Sequence, residues 1–157
     1  MRGIFIVILA LSVVVPGALA QDRSAVQTTT ITITSAQILS LHTSPVQVVP
    51  APGAGQILNP IAFTVQYKFA TTPYVIPAQG IQFISGASHD EYAGVNTANL
   101  LDAPSSRVAT ATAGGQVGGD PAVYANQPLL VALSNSDPTG GDGTLTITVT
   151  YTAVALQ

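Results

Sequence analysis

Few side chains in this sequence could carry chemistry. His42 and His89 are its two histidines. His89-Asp90-Glu91 sets an imidazole beside two carboxylates, a grouping able to bind a metal or move protons. Neighbours on a strand point to opposite faces, and no second ligand cluster accompanies them, so they read as an exposed loop. Asp137 and Asp142 stand five apart in Asp137-Pro138-Thr139-Gly140-Gly141-Asp142-Gly143, and carboxylates with intervening carbonyls are hard oxygen ligands suited to calcium. The spacing lacks the distal glutamate of an EF-hand, and turn chemistry accounts for the same residues. Asp120-Pro121 reads as another turn. No serine lies in Gly-x-Ser-x-Gly. Glu91 is the sole glutamate, so paired carboxylates for glycoside hydrolysis would have to come from scattered aspartates. The expectation is a non-enzymatic protein without a cofactor, calcium at Asp137 and Asp142 being the one candidate.

Tyrosines offer a second kind of site, since exposed rings stack on sugars. Tyr67 and Tyr151 fall in phase with the core-facing residues of their strands, where packing explains them. Tyr74, Tyr92 and Tyr124 remain as a candidate platform for a surface glycan.

The elements that would hold such residues are strands. Leu145, Ile147, Val149, Tyr151 and Ala153 alternate strictly with Thr144, Thr146, Thr148, Thr150 and Thr152. That period of two puts an apolar row on one face and threonines on the other. Together with the apolar run 129–133, across the turn-rich residues 134–143, it predicts a β-hairpin. Residues 28–34 repeat the alternation, with Ile31 and Ile33 inward. Thr28, Ile31 and Ile33 mark a candidate assembly strand, able to add to a neighbour's sheet edge; the alternative is pairing within its own domain. Residues 35–41 break the period, and Ser35 can cap a helical turn carrying Ile38 and Leu41. Further strands are expected at 45–49, 56–69, 74–76, 81–84 and 108–112. In the longest of these, Ile61, Phe63, Val65, Tyr67 and Phe69 point inward, and Pro60 requires an edge or a bulge. Ser85 to Ser106 is the least regular stretch, and residues 114–119 read as a flexible glycine loop. About eight short antiparallel strands between Gly/Pro loops predict an all-β, single β-sandwich of jelly-roll type.

Composition limits the function classes. The 157 residues are 7% charged and contain no cysteine, which excludes a disulfide framework and thiolate metal sites. Four basic residues give no footprint for nucleic acid or an anionic membrane. So little charge suits a protein that covers its surface with copies of itself, a homo-oligomer. Arg2, the almost wholly apolar run 4–15, the Pro16-Gly17 break and Ala18-Leu19-Ala20 form a secretory signal peptide over residues 1–20, cleaved before Gln21. Residues 21–27 are expected to be mobile, and 28–157 to form the sandwich domain. The expected location is secreted or cell surface, with no membrane association after cleavage.

Two blocks carry a family resemblance. Thr34-Ser35-Ala36-Gln37-Ile38-Leu39-Ser40-Leu41, with Thr43-Ser44-Pro45-Val46 and Val49-Pro50-Ala51-Pro52-Gly53-Ala54-Gly55, resembles small β-sandwich structural proteins of tailed-phage virions. Residues 139–151, from Thr139-Gly140-Gly141-Asp142-Gly143 to Tyr151, are similar to the same class. The resemblance implies a non-enzymatic subunit of a multi-copy particle and supplies no catalytic residues.

Overall fold

The computed structural model describes residues 25–86, 88–114 and 120–156; the expected leader and most of the expected glycine loop lie outside them. Eight strands fill the described chain, in two four-stranded antiparallel sheets. In chain order they are β1 (Gln27–Ile33), β2 (Val46–Val49), β3 (Gln56–Lys68), β4 (Gly80–Ser85), β5 (Glu91–Asn96), β6 (Arg107–Thr112), β7 (Leu129–Leu133) and β8 (Thr144–Ala155). One sheet runs β1-β8-β3-β6 and the other β2-β7-β4-β5. Rank by rank the two orders match each strand with one consecutive to it in the chain: β1 with β2, β8 with β7, β3 with β4, β6 with β5. That is the wound ribbon of a jelly roll.

The core lies between the sheets. Val65, Ile147, Val149 and Leu145 from one sheet meet Ile81, Phe83 and Val131 from the other, all fully buried. Phe63 of β3 and Phe83 of β4 stack across the gap with ring centroids 4.1 Å apart and planes 22° from parallel. Burial of each such side chain contributes about 1.5–3 kcal/mol. At the two margins β1 contacts β2 and β5 contacts β6, and the Gly114 N–H donates to Tyr92 O at 3.2 Å.

Several expectations change. Residues 129–133 and 144–155 do form strands, but they lie in different sheets and are no hairpin. Both have an apolar face to bury, and placing them on opposite walls of the core buries both. Residues 74–76 make only an isolated bridge, Val75 with Thr139. The eighth strand is instead β5, inside the stretch that read as irregular. The inward phase of β3 is interrupted: Leu58 and Pro60 are buried, Ile61 is 41% exposed, and Phe63, Val65 and Tyr67 are buried again. A bulge between Pro60 and Ala62 in the pairing with β8 produces the slip. Proline has no N–H for the ladder, so the irregularity falls where pairing is already broken. The helical turn α1 spans Ser35–Ile38, and its cap is Thr34 rather than Ser35, with Gln37 closing a capping box. A second turn, α2 (Pro121–Tyr124), is capped by Asp120. Gln27 already belongs to β1, one residue earlier than expected.

Candidate functional site

The register of the β1-β8-β3-β6 sheet builds its outer face. Thr28, Thr150, Ala62 and Thr112 align in one row across the four strands. Thr30, Thr148, Thr64 and Thr110 form the next, and Thr32, Thr146, Gln66 and Val108 the third. Neighbouring strands stand about 4.8 Å apart and rows about 6.7 Å apart, so hydroxyls and methyls repeat in two dimensions. The Thr30 and Thr148 hydroxyls are hydrogen-bonded at 2.9 Å and those of Thr28 and Thr150 at 3.5 Å. No charged residue stands in the three rows; Lys68, opposite Thr144, lies beyond the third. Strand alternation makes this face and the core together, since Leu145, Ile147 and Val149 fill the inner side of β8.

Thr28, Ile31 and Ile33 lie in β1, which pairs along its whole length with β8 of the same chain, Thr28 opposite Thr150, Ile31 opposite Ile147 and Ile33 opposite Leu145. The strand is therefore not free for donation. Ile33 is fully buried and Ile31 half-buried, because their own sheet needs them inward.

Asp137 and Asp142 do not converge on a cation. Asp137 Oδ1 accepts from the N–H of His42 at 2.7 Å and of Thr43 at 3.3 Å, while its Oδ2 accepts from the Thr43 hydroxyl at 2.8 Å. Asp142 Oδ1 accepts from the N–H groups of Thr71 at 3.0 Å and Thr72 at 2.9 Å, and the Thr71 hydroxyl donates to Oδ2. Desolvation pushes the Asp137 carboxyl up, but the donors from Thr43 and His42 outweigh it and hold the group below its ordinary value. For Asp142 the Thr71 hydroxyl leads, followed by the N–H groups of Thr72 and Thr71, and again the carboxyl is held low. Calcium binds through oxygen lone pairs turned toward it; here three amide and hydroxyl donors occupy most of the acceptor positions of each carboxylate, Asp137 holding residues 42–43 and Asp142 residues 71–72. Both carboxylates clamp a neighbouring loop. Among the described residues no three metal-ligating side chains gather.

The three tyrosines of the candidate platform are buried. Tyr74 is 2% exposed and Tyr92 and Tyr124 each 7%. The Tyr74 hydroxyl donates to Gly143 O at 2.7 Å, and its ring centroid lies 6.2 Å from that of Tyr67. A Cβ at Gly141 would stand 2.3 Å from the Tyr74 ring, and one at Gly143 would stand 2.4 Å from the Tyr67 ring. Gly-Gly-Asp-Gly is thus a seat for two rings. Burial raises the Tyr74 hydroxyl well above its usual value. The Tyr124 hydroxyl donates to Asp90 Oδ2, which pushes Tyr124 up to about 12 and holds Asp90 low. Tyr92 and Tyr124 form part of the wall of an open, mainly apolar cleft of about 610 Å³ with Ile57, Pro60, Val154 and Leu156.

His89, Asp90 and Glu91 do not act together. His89 is exposed with φ 57°, Asp90 turns to Tyr124, and Glu91 accepts from Gln82 Nε2 at 2.6 Å. His42 Nδ1 lies 2.8 Å from Leu133 O, a contact that fixes its loop to β7. The threonine rows, which register alone creates, are the feature sequence reasoning missed; the Thr-x-Thr alternation held the signal without the pairing.

An all-β jelly-roll sandwich is thus the class of fold. No family model and no curated protein matches the chain. Among solved structures it is similar to a chain of the cyanophage Pam1 capsid asymmetric unit, at 18% identity and a TM-score of 0.46, over 85% of this chain and 84% of that one.

Proposed function

We propose that this protein is an exported, non-enzymatic structural subunit whose jelly-roll copies assemble into a virion-like or cell-surface array. The observation that carries the reading is the uncharged outer face of the β1-β8-β3-β6 sheet. Soluble globular domains are about 25% charged overall. This chain has 7% in all and none in the three threonine rows. Removing a charge from water costs several kcal/mol even when it is paired; a hydroxyl costs far less once it finds a hydrogen-bond partner. A threonine surface can therefore be covered by another copy at small expense. Jelly rolls recur in viral capsid and lectin domains. Fold alone does not assign function, so the virion reading leans on the resemblance of the two sequence blocks. Export rests on the signal-peptide pattern expected of residues 1–20.

Electron microscopy of the purified protein tests the assembly reading. Rings, filaments, sheets or shells are expected; a field of isolated single domains at high protein concentration overturns it. N-terminal sequencing of protein recovered outside the cell tests export. It is expected to begin at Gln21, and a chain confined to the cytoplasm with residues 1–20 intact overturns that part.

A further inference from the structure

We propose that β1 is where two copies meet, the β1 strands of a two-fold pair joining edge to edge, antiparallel about Thr30, so that two four-stranded sheets become one of eight. The inference rests on the self-association proposed above and adds the contact that makes it.

Each sheet has two edge strands, and an unpaired edge is a template for another chain unless something blunts it. Three of the four edges here are blunted. β2 is four residues long, has a register shift between Gln47 and Val49, and is bracketed by Pro45 and Pro50. β5 opens on Glu91, has a register shift in its pairing with β4, and is tied to the tail of β6 by the Gly114 to Tyr92 bond. β6 opens on Arg107 and shares that tie.

β1 touches β2 at the other margin, but no backbone hydrogen bond joins the two among the described residues. Its seven residues include no charge, no proline and no glycine, and it runs without a register shift through seven pairs with β8. In an antiparallel ladder alternate residues direct their N–H and C=O to one neighbour and the rest to the other side. The outward set on β1 has no partner among the described residues.

The edge also fits itself. A two-fold axis at Thr30, the middle of the strand, sets Thr30 against its own copy. Thr28 then stands against Thr32 of the second copy, and Thr29 against Ile31. Thr–Thr pairing is a favourable cross-strand contact, already present between Thr30 and Thr148. The outer rows continue unbroken into the second sheet, and half-buried Ile31 gains cover. The chain has a formal net charge of −3, and joining through an uncharged strand keeps like charges out of the contact.

The chain has no cysteine, which makes single-cysteine variants clean probes. Opposed residues in an antiparallel pair have Cα atoms about 4.5–5.5 Å apart, within disulfide reach. On mild oxidation Thr30→Cys is expected to give a covalent dimer, and Thr110→Cys, on the same face of β6, to stay monomeric on a denaturing gel. Thr30→Lys and Thr30→Glu should each lower association at least tenfold by sedimentation, and their mixture should restore it as opposite charges meet. Wild-type association matched by both charge variants, or equal cross-linking at Thr30 and Thr110, overturns β1 as the contact and leaves self-association standing. A wild-type chain that never associates removes both. Circular dichroism checks that the charge variants fold; if one does not, the cysteine pair decides.

Discussion

The hydroxyls of Thr30 and Thr148 lie 2.9 Å apart on the outer face of the first sheet, joining β1 to β8. The two residues are 118 positions apart in sequence, yet each is a threonine on the outer face of its strand, beside Ile31 in β1 and between Ile147 and Val149 in β8. Thr148→Val keeps the shape and β-branching while removing the hydroxyl. Cross-strand pairs of this kind contribute about 0.2–1 kcal/mol, so urea unfolding should show a loss of that order with the fold unchanged.

The sheets are held across the core by Phe63 on Phe83. Phe63→Ala should cost about 3–5 kcal/mol, as truncating a buried ring leaves a cavity, and Phe63→Leu much less. Denaturant midpoints measure both. A loss below about 1 kcal/mol for Phe63→Ala would mean the stack does not bridge the sheets.

Gly141 and Gly143 should be intolerant of a side chain. At Gly141 a Cβ meets the Tyr74 ring at 2.3 Å and φ is +94°, whereas Gly55, at φ +70°, has nothing within 4 Å of its Cβ position. Gly55→Ala should therefore show only backbone strain, about 1 kcal/mol, and Gly141→Ala distinctly more. Thermal unfolding of the two variants compares them directly.

Tyr74 and Tyr67 should part company on losing a hydroxyl. Tyr74 donates to Gly143 O, so Tyr74→Phe should cost about 0.5–1.5 kcal/mol. The buried Tyr67 hydroxyl meets no hydrogen-bond partner among the described residues, so Tyr67→Phe should be neutral or mildly stabilising. Equal losses in the two variants would contradict this difference.

Asp137 and Asp142 give stability a defined pH dependence. Both carboxyls are held below their ordinary 3.8 in the folded state. A depressed folded value contributes stability that is present above the unfolded value and lost as pH falls through the folded one. The melting temperature should be insensitive to these groups down to about pH 4 and drop below it. Asp142→Asn should lower it at neutral pH and flatten the acid limb. Millimolar calcium or a chelator should leave it unmoved, since donors already occupy both carboxylates.

How far this was legible differs by element. The alternation of residues 144–153 specified a strand and its inner face without help, because a period of two has one structural meaning. The Pro60 bulge was legible in kind, since proline cannot serve a central ladder, but the slip that exposes Ile61 shows only against β8. β5 escaped notice because Gly94 and Glu91 dilute its pattern. The hairpin expected of residues 129–155 failed because strand pattern fixes which face is buried, not which neighbour is paired. Tyr74, Tyr92 and Tyr124 carry no local periodicity to mark them as core. Tyr74 lies in a loop, Tyr92 in β5 and Tyr124 in α2, and their burial follows from contacts made only in the folded chain.

Sedimentation velocity of the purified chain across a concentration series tests the central claim most directly. An uncharged sheet face and an unguarded β1 predict a boundary well above one domain that moves to larger values as concentration rises. A single boundary at the monomer mass, unchanged across the series, would contradict it.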